Sequence, residues 1–320
     1  MALPDWPEAW RAALYGPSGF FARGARPVDH FRTSPLVGPE LAEAVVELLD
    51  RVDMALGRPN PLDLVDVGAG GGELAAQVFA LGKRFRGRLR VRAVELTRPV
   101  LPAGVEWSSE LPDQVTGLVI AHEWLDSLPC QVVQMHGSRV RAVHVASDGT
   151  ESWGDPVSSD WLARWWPLTV DGQRAEIGTT RDAAWADLVS RVAAGAALAV
   201  DYGHFADTRP FAGSLTGYRA GRQVPPVPDG SCDITAHVAF DAVAAAVDGP
   251  SELLTQREAL AALGITASSP AAGLAARDPL GWLAASARAG RVAELRDPAG
   301  LGGFHWLLCP RSAPISLVRA

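Results

Sequence analysis

The sequence contains no run of basic residues and no patch in which basic and aromatic side chains alternate, and its acidic residues outnumber its basic ones, 36 to 29. That balance excludes the electrostatic footprint of a nucleic-acid-binding surface and leaves an acidic chain suited to a basic partner. Cysteine is scarce. Cys130, Cys232 and Cys309 are far apart, odd in number and without the paired spacing of a zinc site, so they read as buried thiols in a reducing compartment, with no metal expected. No apolar stretch reaches the length of a membrane span, and the start, MALPDWPEAW, has no basic region followed by an apolar core, which points to a cytoplasmic protein. Internal repeats are absent, as are low-complexity tracts beyond alanine-rich helices. What is there is 320 residues, 48% of them hydrophobic, enough for a substantial core in one elaborated domain or two.

The stretch that organises the chain is Leu62 to Leu74, LDLVDVGAGGGEL. Leu62, Leu64, Val65 and Val67 form an apolar run with β-branched residues between Pro61 and the glycines, which predicts a buried parallel strand. Gly68, Gly70, Gly71 and Gly72 allow a tight turn with positive φ and let a ligand lie against the main chain. Glu73 to Leu81 reads as the helix that follows. A dinucleotide fingerprint requires glycine at the first, third and sixth places, and the sixth place is Glu73, which counts against a nicotinamide dinucleotide. With Asp66 the pattern becomes D-x-G-x-G-x-G, which resembles motif I of class I S-adenosylmethionine (SAM) methyltransferases. A second strand, LRVRAVEL over Leu89 to Leu96, ends in Glu95, whose carboxylate can accept both hydroxyl hydrogens of a ribose.

Along the chain, Trp6 to Tyr15 is expected to be a short helix ended by Gly16 and Pro17. The aromatic, glycine-rich segment from Phe20 to Pro35 is expected to cover the ligand, ordering over it to exclude water. Leu41, Val45, Leu48, Leu49 and Val52 recur at helical spacing up to Gly57. After a proline-rich turn region, Gly117 to Ala121 reads as another buried strand ending in His122, Glu123, Trp124 and Asp126. Ligands of open α/β sheets bind beyond the carboxyl ends of strands, so these side chains are expected at the same crevice as the glycine loop. Acidic residues also suit a helix N-terminus, and capping a following helix is the other reading of Glu123 and Asp126. From Cys130 to Trp153, alternation and turn signals predict a β-meander inserted into the sheet. Thr180 to Ala193 reads as a helix, and Ala196 to Asp201 as a strand ending beside Tyr202. Pro210 to Asp233 is Gly/Pro-rich and long for a plain loop, so it reads as a lid or binding segment. Ile234 to Val247, Leu253 to Leu263 and Gly281 to Ala293 read as helices, and Phe304 to Leu308 as the last strand. The expected fold is α/β, a Rossmann-like class I SAM methyltransferase sheet. Its divisions are an N-terminal helical and lid segment over 1–60, the core over 61–205 with the meander at about 130–155, a lid and helical substrate-side region over 206–295, and a C-terminal strand over 296–320.

Several segments together are similar to the MidA-like SAM-dependent methyltransferases, a family that includes the mitochondrial complex I assembly factor that methylates an arginine. They are DHFRTSPLVGPELA (Asp29 to Ala42), VDVGAGGGEL, AVEL (Ala93 to Leu96), IAHEWLDSLPCQ (Ile120 to Gln131), LAVDYG (Leu198 to Gly203), CDITAHVAF (Cys232 to Phe240) and TQREALAALGI (Thr255 to Ile265). The resemblance implies SAM as cofactor and S-adenosylhomocysteine as product. It implies contacts to them from Asp66, Gly68, Ala69, Gly70, Gly72, Glu95, Leu96, His122 and Glu123. It departs from the family at His122, where asparagine is usual, and at the glycine-rich stretch Gly16 to Gly24, both of which bear on substrate identity.

Methyl transfer from a sulfonium is an in-line displacement, so the enzyme mostly positions and desolvates. For a guanidinium acceptor, paired carboxylates would orient the cation and localise its charge away from the attacking nitrogen. Glu123 and Asp126 offer such a pair, converging if a helix starts at the strand end; arginine methyltransferases of other families use paired glutamates in the analogous place. Glu123, Trp124, Asp126 and Tyr202 are therefore the candidate acceptor residues, and Glu123, Asp126 and His237 the candidate catalytic ones, with His237 either accepting a proton, partnering a carboxylate or playing only a structural part. Three functions follow. The first is a protein arginine methyltransferase, with a respiratory-complex subunit as one substrate. The second is a methyltransferase for a small molecule or peptide natural product, and the third a SAM-binding assembly protein without turnover. A hydroxyl acceptor would call for a His or Lys base, and His122 keeps that option open. A homodimer is compatible with all three.

Overall fold

The computed structural model describes residues 3–23, 33–85, 87–266, 268–271 and 273–318. In chain order the strands are β1 (Leu62–Val67), β2 (Leu89–Val94), β3 (Val105–Ser108), β4 (Val115–His122), β5 (Gln131–His136), β6 (Arg139–Val145), β7 (Glu151–Pro156) and β8 (Arg174–Ile177). They continue with β9 (Val192–Asp201), β10 (Gly203–His204), β11 (Thr216–Arg219), β12 (Arg222–Val224), β13 (Asp233–Thr235), β14 (Val238–Ala239), β15 (Glu252–Thr255) and β16 (His305–Arg311). The chain folds as two compact units, one of Thr33–Ala121, Arg191–Val200 and Pro250–Ala320, the other of Met1–Arg32, His122–Ser190 and Asp201–Gly249.

The first unit is built on a seven-stranded sheet in the order β15-β16-β9-β4-β1-β2-β3. Strand β1 runs parallel to β2 and β4, and β2 parallel to β3, while β15 pairs antiparallel with β16 at the other edge. All six residues of β1 are buried, as the continuous apolar run predicts for a strand covered on both faces. The helix Glu40–Ala55 supplies part of that cover: Leu41, Val45, Leu48, Leu49 and Val52 are all fully buried and share one cluster with Leu62, Leu64 and Leu118. The proline-rich turn region after Glu95 contains β3, whose four residues extend the parallel edge. The helix expected over Leu253 to Leu263 divides in two. Leu253 and Leu254 pair with Leu307 and Trp306 as an edge strand, and the helix begins only at Gln256. Thr255 makes the boundary, because its hydroxyl accepts from the Glu258 amide at 3.3 Å while Glu258 accepts from the Thr255 amide at 2.8 Å, a reciprocal cap.

In the second unit the helix Trp6–Tyr15 packs Trp6, Trp10 and Leu14 among Cys130, Val132, Val143 and Ile234, and the Trp10 indole donates to the Ile234 carbonyl at 2.8 Å. The meander forms a sheet of its own, β7-β6-β5-β8, antiparallel throughout, rather than an insertion into the parallel sheet. The Gly/Pro-rich stretch from Pro210 contains two strands of another sheet, β12-β11-β13. Ile234 to Val247 begins in strand rather than helix: the β-branched Ile234, Thr235 and Val238 pair in β13 and β14, and the helix is only Phe240–Ala245. Of the expected cover over Phe20 to Pro35, residues 24–32 lie outside the described residues; Phe20 itself is buried in the Trp10 cluster. No helix among the described residues is long and apolar enough to cross a membrane.

Two glycines allow the strands of the first unit to close up. A Cβ on Gly195 would overlap the Gly117 carbonyl, one on Gly117 would overlap the Asp63 carbonyl, and φ is +126° and +149° at the two positions. Gly195→Ala is therefore expected to lower stability by at least about 2 kcal/mol. Urea unfolding followed by circular dichroism checks it, and an unchanged midpoint would contradict the packing.

Candidate active site

In the first unit, β1 delivers the chain to the glycine loop. Gly68, Gly70 and Gly72 have φ of +67°, +55° and +80°, conformations that side chains other than glycine rarely adopt. A Cβ on Gly70 would meet nothing within 4 Å, whereas one on Gly72 would collide with Leu101, so the loop is open at Gly70 and packed at Gly72. Gly72 leads into the helix Glu73–Leu81. Glu95, just past β2, grips this loop: one carboxylate oxygen accepts from the Gly70 amide at 2.9 Å, the other from the Leu96 amide at 2.7 Å. A carboxylate has about four acceptor positions, and the Gly70, Leu96 and Thr97 backbone donors leave room for a further hydroxyl. Burial raises the Glu95 pKa and the backbone donors oppose it. Leu96, at 61% exposure, leaves an apolar side chain uncovered beside this carboxylate. Asp66 lies beneath the loop, buried, accepting from the Ala75 amide at 3.2 Å. Burial pushes its pKa up to about 7, against the Ala75 hydrogen bond and with help from Glu95 and Glu73.

In the second unit, no helix follows β4. Residues 123–130 are bends and turns, so neither the helix-capping reading of Glu123 and Asp126 nor their convergence on a helical turn holds. Glu123 instead takes a left-handed conformation, φ +49°, an uncommon state for a glutamate that the surrounding structure must enforce. His122 is buried, its Nδ1 lies 3.5 Å from a Glu123 oxygen, and its Nε2 has no hydrogen-bond partner. Burial pushes the His122 pKa down to about 4, so the ring is neutral. Trp124 is half-buried. Asp126 is buried, with one carboxylate oxygen accepting from the Tyr202 hydroxyl and the other, Oδ1, without a partner among the described residues. Burial raises its pKa, opposed by Tyr202 and Arg181.

Asp201 and Arg181 hold this turn in shape. One Asp201 oxygen accepts from the Leu125 and Asp126 amides, both at 3.1 Å, and the other from the Tyr202 amide at 2.9 Å. Arg181, 2% exposed on the helix Thr179–Ser190, donates to the carbonyls of Leu128 (3.2 Å), His237 (2.9 Å) and Asp126 (2.6 Å). Its guanidinium also lies over the Trp10 ring, 5.7 Å from the centroid. The His237 ring meets Tyr202 edge-on at 5.1 Å, and the hydrogen-bond partner of Asp126 is Tyr202. Burial and Arg181 lower the His237 pKa. Burial, then Asp126 and Asp201, hold the Tyr202 phenol well above its ordinary value, so it stays a donor.

The turn thus gathers Glu123, Asp126, Tyr202 and His237 with residues that sequence reasoning did not single out: Asp201 as its backbone acceptor, Arg181 as its buried cation, and Tyr218 with Asp233. Tyr218 and Asp233 are register partners in β11 and β13, and the Tyr218 pKa is raised by burial, then by Asp126, Glu123 and Asp233. The separate segment carrying Asp233, CDITAHVAF, was the available signal for it.

Residues 41–257 match the model of a family described as "Putative S-adenosyl-L-methionine-dependent methyltransferase". Among solved structures, the chain is similar to a Burkholderia thailandensis protein crystallised with S-adenosyl-homocysteine, at 23% identity and a TM-score of 0.79 over 98% of this chain and 89% of that one. A native crystal structure of an uncharacterised protein of the same superfamily and organism matches with the same identity, coverage and TM-score. No curated protein matches the sequence. The likeness in structure shows the fold, a mixed α/β chain with a mostly parallel central sheet.

Asp66 gives the glycine loop a pH signature. Its pKa rises from 3.8 to about 7 on folding, so the folded state binds the extra proton across that window. Its contribution to stability is therefore complete below the lower value and lost as pH rises toward the upper one, by up to about 1.4 kcal/mol per pH unit. Asp66→Asn should remove that loss and gain on wild type by roughly 2–4 kcal/mol between pH 4 and pH 8. Urea unfolding of both proteins at the two pH values measures it; a pH-independent difference would contradict the buried, protonated carboxyl.

Proposed function

We propose, for a chain that belongs to this family of S-adenosyl-L-methionine-dependent methyltransferases, that the methyl acceptor is the guanidinium of an arginine in a protein or peptide, as in the MidA type that the sequence resembles. A respiratory-complex subunit is the substrate that resemblance suggests. The observation that carries the reading is Asp126 Oδ1, a buried carboxylate oxygen without a partner among the described residues, on a carboxylate already oriented by Tyr202. A dry, unsatisfied acceptor is costly, and a guanidinium N–H would satisfy it with a charge-assisted bond.

The alternative of a hydroxyl acceptor needs a competent base. His122 is neutral but its pKa of about 4 makes it a feeble proton acceptor, and His237 is lowered too. A guanidinium needs a counter-charge and alignment more than a strong base, which Glu123 and Asp126 can supply. Glu123 is the second carboxylate, aimed by its enforced left-handed backbone. Trp124 offers a flat surface for the acceptor, and His237 positions the Tyr202 ring that orients Asp126.

When bound, SAM supplies a methyl on a sulfonium. The glycine loop suits it: the open space at Gly70 admits a ligand against the backbone of Gly68, Ala69, Gly70 and Gly72. The remaining acceptor position of Glu95 takes a ribose hydroxyl, Leu96 offers apolar contact, and Asp66 braces the loop from below through the Ala75 amide.

Two variants separate the halves. Glu95→Ala should weaken SAM binding about ten- to a hundredfold, because it removes hydrogen bonds worth roughly 1.5–3 kcal/mol, and calorimetry showing unchanged affinity would displace the ribose from Glu95. Glu123→Gln should leave SAM affinity nearly intact yet slow transfer of labelled methyl to host-cell proteins by about a hundredfold or more. Full activity in Glu123→Gln would sink the guanidinium reading and promote a small-molecule acceptor.

A further inference from the structure

Asp233 opens β13 opposite Tyr218, is 2% exposed, and has its Oδ1 buried without a hydrogen-bond partner among the described residues. Three residues further along, the Ala236 amide donates to the Asp126 carbonyl at 3.1 Å, and Arg181 ties the His237 carbonyl to the same turn. The segment is thereby fixed to the turn that bears another carboxylate oxygen buried without a partner among the described residues, Asp126 Oδ1. Each such oxygen costs stability when left dry. Two on segments held together describe a place prepared for N–H donors. We propose that Asp233 is a further acceptor-site residue, a carboxylate that binds the guanidinium together with Asp126 and takes the proton that the attacking nitrogen releases. This rests on the guanidinium reading of the same site.

The neighbouring charges set its state. Burial, then the Asp126 carboxylate, hold Asp233 well above the ordinary carboxylate range, which favours its protonated form while no cation is near. Glu123 and Asp126 act with it on Tyr218, and Asp126 also raises Asp201, with Arg181 as the opposing cation at Asp126 and Asp201. An arriving guanidinium adds positive charge at this spot, favours the ionised form, and drives a proton to solvent. In the transfer, the nitrogen lone pair forms the N–C bond as the C–S bond breaks with its electrons going to sulfur. One N–H bond then breaks, its electrons staying on nitrogen and its proton going to Asp233 Oδ1. The product is a methylguanidinium with a single positive charge, and the thioether is neutral.

The probe is agmatine, titrated calorimetrically at pH 7 into protein saturated with S-adenosylhomocysteine, in two buffers of different ionisation enthalpy. Wild type should release about one more proton per agmatine than Asp233→Asn, whose amide mimics the protonated carboxyl but has no proton to lose. Wild-type agmatine affinity should also rise up to about tenfold per pH unit between pH 6 and pH 8. Equal proton counts in the two proteins, or a flat pH profile in wild type, overturn the role of Asp233 while leaving the guanidinium reading in place. Failure of agmatine to bind wild type at all overturns that reading and this inference with it.

Discussion

The acidic turn after β4 depends on one buried guanidinium. Arg181 donates to three carbonyls drawn from two distant stretches of chain, Asp126 and Leu128 on one side and His237 on the other, and rests on the Trp10 ring. A buried arginine is tolerated only when its donors are satisfied, and carbonyls it leaves behind would be orphaned. Its charge is also the local counterweight. Asp126 and Asp201 are pushed up by burial, and Arg181 acts against that rise at both. With Asp201 collecting the Leu125, Asp126 and Tyr202 amides, the turn is held by fixed hydrogen bonds while single oxygens of Asp126 and Asp233 stay uncommitted. Such an arrangement presents acceptors without needing to reorganise when a cation arrives.

The glycine loop of the first unit is built on a different constraint, backbone conformation. Positive φ at Gly68, Gly70 and Gly72 brings the Gly70 amide to Glu95, and the close approach of strands at Gly117 and Gly195 sets the sheet from which the loop emerges. The carboxylates of the loop and of the turn are tuned by the same cause, burial. Asp66 braces the loop with its pKa raised to about 7, and Asp126 is a raised carboxyl kept from rising further by Tyr202 and Arg181.

Much of this was legible in the sequence where the signal is local. The helix Trp6–Tyr15, the strand Leu62–Val67 and the loop after it follow from capping, burial and glycine rules that act within a few residues. Thr255 and Glu258 carried a readable capping signal as well, but the apolar run on either side masked the change from strand to helix at that point. β3 was hidden among prolines because it is an edge strand whose pairing with β2 is set by the sheet. The acidic turn was legible only in part. Glu123, Asp126 and Tyr202 stand at strand ends and could be named, whereas Arg181 acts over more than fifty residues of sequence and Asp233 acquires its character from Tyr218 and Asp126. Spacing along the chain carries no trace of such contacts, and the left-handed backbone at Glu123 breaks the local helical rule that made the pair look like one turn.

The central claim is that a family member with this acidic turn methylates a guanidinium. The position of the transferred methyl tests it most directly: purified protein is incubated with methyl-labelled SAM and host-cell proteins, and the modified side chain is identified by tandem mass spectrometry. The account predicts label on a guanidinium nitrogen of arginine. Label on a hydroxyl group, or confined to a small metabolite, would contradict it.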